Sequence, residues 1–169
     1  MAMTIESPEL GWYTTIAQEQ VFDRLGCDGD NVSPALILAG EPAETKSFAV
    51  TIYDPDAPTG SGFWHWVVFN IPALATSLPK GAGLPGSPLM PAGAVQSRTD
   101  YGLIGYGGPC PPPGPPHRYQ VTVYALDVER LEANENETAA SIGFQIHFHA
   151  LDEARVTAVY GRPDPYAAK

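Results

Sequence analysis

The stretch that decides the fold is Arg118-Tyr119-Gln120-Val121-Thr122-Val123-Tyr124-Ala125-Leu126. It alternates cleanly, with Tyr119, Val121, Val123 and Ala125 on one face and the more polar Gln120, Thr122 and Tyr124 on the other. A period of two is the side-chain period of a β-strand, so this segment is a strand with one face turned to a core. Ser47-Phe48-Ala49-Val50-Thr51-Ile52-Tyr53 is rich in β-branched and aromatic residues and reads as a central strand. Pro55 and Pro58 follow it and end its ladder, because proline has no N–H to donate. Phe63 to Ile71 is a third strand, stopped by Pro72, and Ala35 to Ala39 is a short one.

Between these strands the punctuation is dense. The chain has 169 residues with 17 glycines and 18 prolines, and the excess sits between apolar runs. It therefore marks turns between strands and not disorder. Thr76 to Gly93 reads as a long irregular loop. Pro109 to Pro116 holds six prolines in eight residues, a stiff extended segment. Thr138 to Ala150 carries Ala139, Ile142, Ile146 and Ala150 at helical spacing, with Asn136 as the candidate cap. Arg155 to Tyr160 reads as a last strand. The expectation is a mainly β (α+β) domain spanning 1–169, with one or two helices near the C-terminal half.

The formal net charge is −10, from 19 acidic and nine basic residues. Such a surface lacks the basic footprint that nucleic acid needs and is unsuited to anionic membranes. No apolar run approaches the roughly 20 residues of a membrane span. The N-terminus shows no charged region followed by an apolar stretch. Met1-Ala2-Met3 leaves open a leader removed from a longer precursor.

Three distant segments carry the chemistry: Tyr53-Asp54-Pro55-Asp56-Ala57-Pro58, Phe63-Trp64-His65-Trp66 and His117-Arg118-Tyr119. Asp54 and Asp56 lie two apart, so their carboxylates either converge or cap the turn through backbone amides. Strand alternation turns His65 away from Trp64 and Trp66, towards a pocket or into the core. If the fold joins the segments, two carboxylates, two imidazoles, an arginine and a phenol surround a small polar pocket.

The order and spacing of these motifs resemble the phosphatidylethanolamine-binding protein family, which includes the Raf kinase inhibitor proteins and their small bacterial relatives. Asp54-Pro55-Asp56-Ala57-Pro58 is similar to the family's signature turn, His65 falls at its pocket histidine, and His117-Arg118-Tyr119 matches its His-Arg-Tyr. Gly107-Gly108-Pro109-Cys110-Pro111-Pro112 is similar to the loop of the bacterial branch. The resemblance runs from Asn31-Val32-Ser33-Pro34 to Tyr160-Gly161-Arg162. It implies a β-sandwich with ligand-binding residues Asp54, His65, Gly108, Cys110, His117 and Tyr119, supported by Asp56, Pro58 and Arg118.

On that reading a small anion or phosphorylated headgroup binds without reaction. Asp54 holds the imidazoles charged or meets the ammonium of a zwitterion such as phosphoethanolamine, and backbone N–H groups near Gly108 and Cys110 face the ligand. Two other functions stay open. One is an inhibitor or regulator of a kinase or serine protease, with the pocket as a modulatory site; the partner is unknown and a homodimer is left open. The other is a small hydrolase using Cys110, although Gly60-Ser61-Gly62 is no nucleophile elbow and Ser33 and Ser97 lack an adjacent base.

No cofactor is expected. A metal is not expected either, because His65 and His117 lie 52 positions apart and no tight ligand pair occurs. His147 and His149, two apart on a helix, point to different faces. Bacterial relatives carry cysteines where this chain has Cys27 and Cys110. The resemblance thus implies a disulfide between them and, if oxidised, a periplasmic location; two reduced thiols in the cytoplasm are the alternative.

Overall fold

The computed structural model describes residues 2–166; residues 1 and 167–169, the ends of the expected domain, lie outside the described residues. Among the described residues the strands are β1 (Thr4–Glu6), β2 (Leu36–Ala39), β3 (Ser47–Asp54), β4 (Phe63–Pro72), β5 (Ser77–Leu78), β6 (Val95–Gln96), β7 (His117–Leu126) and β8 (Ala150–Tyr160), with one α-helix, α1 (Ala139–His149), and a short 3-10 turn at Gln18–Gln20. They form a five-stranded sheet in the order β6-β4-β3-β7-β8 and a three-stranded sheet in the order β1-β2-β5. All the strand pairs are antiparallel.

The large sheet is buried on both sides at its centre. Phe48, Val50 and Ile52 of β3 join Trp66, Tyr119, Val121 and Val123 in a core shared with Leu36 and Leu38 of β2. Ala49, one step out of phase, faces the opposite way and packs with Val67, Phe69, Ile142 and Ile146 under α1. Covering both faces explains why β3 carries apolar residues in both phases of its alternation.

β7 carries the side chains of its strict alternation as expected: Tyr119, Val121, Val123 and Ala125 all enter the inter-sheet core. β8 begins at Ala150, five residues before the expected Arg155, because the chain turns directly from the end of α1 into the sheet. The outer edge of β8 is partly covered by the N-terminal segment, where Tyr13 N–H donates to the Thr157 carbonyl at 2.7 Å and Ile16 N–H to that of Val159 at 2.8 Å. The expected Thr76–Gly93 loop contains β5, which pairs with β2 through Leu36 and Leu78.

α1 is capped by Thr138, not by Asn136: the Thr138 hydroxyl accepts from Ser141 N–H at 3.1 Å. Asn136 instead lies in the preceding turn, where its N–H donates to Asn134 Oδ1 at 2.9 Å. His149 pairs with Asp127 at 2.8 Å.

Candidate functional site

The centre of the site is made by a break in strand pairing. Along β3 and β4, Ile52 pairs with Trp66 and Tyr53 with Trp64, so one residue of β4, His65, has no partner across the ladder. A β-bulge of this kind re-aims a side chain. It also resets the alternation, so Trp66 enters the inter-sheet core while Trp64 packs on the helix side. The sequence expectation that both tryptophans share a face is corrected here, because alternation holds only where pairing is continuous.

His65 is 3 % exposed. Its Nδ1 lies 2.8 Å from the Gly107 carbonyl oxygen. A carbonyl can only accept, so Nδ1 carries the proton. Burial pushes the imidazole pKa down to about 4, outweighing the opposing effects of the Gly107 carbonyl and the Asp54 charge. His65 is therefore neutral near pH 7 and its Nε2 is an acceptor. This corrects the expectation of two charged imidazoles: desolvation dominates at this buried position.

Asp54 ends β3. Its Oδ1 accepts the Asp56 N–H at 2.8 Å, the turn-capping arrangement, and its Oδ2 lies 2.7 Å from His117 Nδ1. Asp56 takes a different partner. Its carboxylate accepts from Arg118 N–H at 2.8 Å, Nε at 3.0 Å and Nη2 at 2.8 Å. The Arg118 hydrogen bonds hold the Asp56 carboxyl down at about 2. The two carboxylates thus do not converge. Each engages one of two consecutive residues of β7.

A cavity of about 410 Å³ opens over this arrangement, and its lining includes Asp54, Pro58, His65, Cys110, His117 and Tyr119. Tyr119 is 1 % exposed, and its hydroxyl has no hydrogen-bond partner among the described residues. Burial, followed by the Asp54 charge, raises its phenol above the usual range, so it stays a neutral O–H. Pro111 and Pro112 of the proline run add to the wall.

Gly108 does not line the cavity. Its N–H donates to Asn31 Oδ1 at 2.7 Å, so it is not free for a ligand. Its lack of a side chain serves packing instead, since a Cβ there would sit 2.1 Å from the Gln20 carbonyl oxygen. The anion-facing amide expected at this position is corrected accordingly. Cys110 is bonded to Cys27 in a disulfide spanning 83 residues of sequence. In this form Cys110 carries no thiolate, and it lies in the cavity lining tied to Cys27.

Sequence reasoning missed Leu25, Asp100 and Tyr101 as lining residues. Tyr101 stacks on Phe22 with ring centroids 4.0 Å apart and donates its hydroxyl to the Gly108 carbonyl at 2.8 Å. No local pattern marks these residues; they reach the cavity only through long-range packing. The lining contains no lysine or arginine. Among the described residues, no group of three or more His, Cys, Asp or Glu is placed to hold a metal ion.

The site can therefore offer a neutral hydroxyl from Tyr119, a lone pair from His65 Nε2, the Asp54–His117 pair and the Asp100 carboxylate, between aromatic and proline walls. Comparison with known proteins bears on what such a site belongs to. A family model described as phosphatidylethanolamine-binding protein matches residues 12–161. The UPF0098 protein YbhB of Escherichia coli is 52 % identical over 145 residues, covering 86 % of this chain and 91 % of its own. The E. coli UPF0098 protein YbcL is 46 % identical over 160 residues, covering 94 % and 87 %. The crystal structure of E. coli YbcL, described as a new member of the mammalian PEBP family, superposes with a TM-score of 0.93 at 45 % identity, covering 95 % of this chain and 99 % of that one. The Chlamydia trachomatis homologue CT736 superposes with a TM-score of 0.80 at 30 % identity, covering 95 % and 98 %. With matching motifs, a matching fold and a matching family model over most of its length, the chain belongs to the phosphatidylethanolamine-binding protein family.

Proposed function

We propose that the cavity binds a small phosphorylated headgroup of the phosphoethanolamine type and releases it unchanged. The observation that carries this reading is the Tyr119 hydroxyl, buried without a partner in the lining of a 410 Å³ cavity beside the Asp54–His117 pair. A buried hydroxyl left unpaired is costly, and a ligand oxygen would relieve that cost. His117 and Tyr119 would meet the phosphate, with Asp54 orienting the imidazole through Nδ1.

Absence of chemistry is part of the reading. Hydrolysis needs an activated nucleophile next to a base. The Cys110 sulfur is bonded to Cys27, and Ser33, whose Oγ accepts the Gly83 N–H at 2.8 Å, does not line the cavity. Few ligand atoms can make contact, so affinity lies in the range of about millimolar to micromolar.

The test is calorimetry with phosphoethanolamine on the wild type, His117→Ala and Tyr119→Phe, beside a turnover panel of phosphomonoesters, phosphodiesters, esters and peptides. Binding that weakens in both variants with no turnover is expected. No binding, or turnover that disappears in His117→Ala, would overturn the reading.

A further inference from the structure

We propose that the outer face of α1 is a docking surface for a second copy of this chain, the two helices packing against each other across a two-fold axis. The face is separate from the cavity, whose lining includes no residue of α1.

The first ground is the sequence of the helix. A surface helix buries one apolar stripe and shows charged or polar residues to water on the other side. α1 follows the first half of that rule, with Ala139, Ile142 and Ile146 buried against the large sheet. It breaks the second half. None of its 11 residues is Asp, Glu, Lys or Arg, in a chain with 19 acidic and nine basic residues. Ala140, Gly143, Phe144, His147 and Phe148 recur at the spacing of a second helical stripe. Phe144 is 68 % exposed and Phe148 65 %. Their ring centroids lie 5.1 Å apart, and the His147 ring packs edge-on against Phe148.

The second ground is Gly143. Glycine is among the poorest residues for a helix interior, because it has the most backbone freedom to lose. Close approach of another body is a reason to keep it, as at Gly108. Within this chain no such approach exists: a Cβ at Gly143 would meet nothing within 4 Å beyond the helix's own backbone. With Ala140 one turn earlier, Gly143 leaves a notch beside the two phenylalanines. The stripe therefore carries both knobs and a hole to receive them. A two-fold contact needs that combination, because one patch must complement itself.

Charge and area select the occupant. The net charge of −10 opposes self-association over most of the surface. This face carries none of that charge. The cleft beside Phe144 and Phe148 holds one permanent charge of each sign, Arg130 and Glu132, and neither is in an ion pair among the described residues. A strongly basic or acidic partner would find nothing to pair with on the helix, whereas the same face of another copy matches it. At about 200 Å² for a whole phenylalanine, the two rings leave about 270 Å² in water. With Ala140, Gly143, His147 and the rim of the cleft the face reaches about 500 Å², more than scattered apolar residues expose. Two copies would bury about 1,000 Å², enough for a specific but weak dimer.

The test is sedimentation equilibrium on the oxidised wild type, a Phe144→Gln, Phe148→Gln double variant and Gly143→Gln. The wild type is expected to pass from monomer to dimer with a dissociation constant of about 10–100 μM. The double variant removes the knobs at exposed positions and is expected to weaken the dimer at least about tenfold. Gly143→Gln fills the notch. It is expected to weaken the dimer by a similar factor while raising the melting temperature of the dilute monomer, because glutamine is the better helix former. These opposite signs separate a blocked contact from a damaged fold. A wild type that stays monomeric up to about 1 mM overturns the proposal, as does a dimer that either folded variant forms as tightly as the wild type. Cosedimentation of a monomeric wild type with phosphatidylcholine vesicles, lost in the double variant, would also overturn it and assign the face to a lipid surface.

Discussion

Lowering the pH should destabilise this protein through His65. Free histidine titrates near 6.5, whereas burial holds His65 at about 4 in the native state. Between those values the unfolded chain binds a proton that the folded chain excludes. Stability is then complete above pH 6.5, declines as the pH falls, and levels off below about 4. The full difference is worth about 3 kcal/mol, of which about 1 kcal/mol has been lost at a pH of about 6 and about 2 kcal/mol at about 5. With an m-value of about 2 kcal/mol per molar, the urea midpoint drops by about 1.5 M from this group. The comparison is with His65→Gln, whose side-chain amide can still donate to the Gly107 carbonyl but does not titrate. Carboxylates act alike in both proteins, so the difference between the two pH profiles isolates the imidazole. Parallel profiles, or the His65 imidazole resonance of the folded protein titrating near 6.5 by NMR, would refute the reasoning.

Reducing the Cys27–Cys110 disulfide, which closes a long loop across 83 residues of sequence, should cost about 4.5 kcal/mol on the chain-entropy model, read from urea unfolding with and without reductant; an unchanged midpoint after verified reduction would contradict it. Gly108→Ala should lower stability by about 2–3 kcal/mol in thermal unfolding, because the new Cβ would fall 2.1 Å from the Gln20 carbonyl oxygen and 2.7 Å from Phe22 N. Tyr119→Phe should leave the free protein as stable as the wild type or more so, since it removes an unpaired buried hydroxyl, while weakening phosphoethanolamine about fivefold or more; a loss of stability without a loss of affinity would assign that hydroxyl a purely structural role.

The strands were legible because burial imposes a period that local sequence must carry. β7 alternates because Tyr119, Val121, Val123 and Ala125 meet the inter-sheet core, and β3 carries apolar residues in both phases because Phe48, Val50 and Ile52 face that core while Ala49 faces the helix side. What escaped depends on pairing between strands. The bulge at His65 is a property of β3 and β4 together, and nothing within Phe63-Trp64-His65-Trp66 announces it. Gly108 illustrates the same limit: its glycine is required by the approach of the Gln20 carbonyl from far along the chain. Asp100 and Tyr101 sit in an ordinary polar turn and gain significance only from what packs beside them. The cap of α1 was misplaced by two residues because Asn136 and Thr138 are both good caps by type, and only the observed bond to Ser141 decides between them.

The charge of the cavity follows from the period of one strand. His117 and Arg118 are consecutive on β7, and consecutive side chains leave opposite faces of a strand. The imidazole meets Asp54 within the cavity lining, and the guanidinium meets Asp56 at the exposed rim. Shifting β7 by one residue would exchange the two, placing a permanent cation beside Asp54 and an imidazole at the rim. Such a slip is prevented by the rest of the strand, because it would also turn Tyr119, Val121, Val123 and Ala125 out of the inter-sheet core. The apolar alternation that holds the sheets together therefore also determines that the cavity lining holds imidazoles and carboxylates without an arginine.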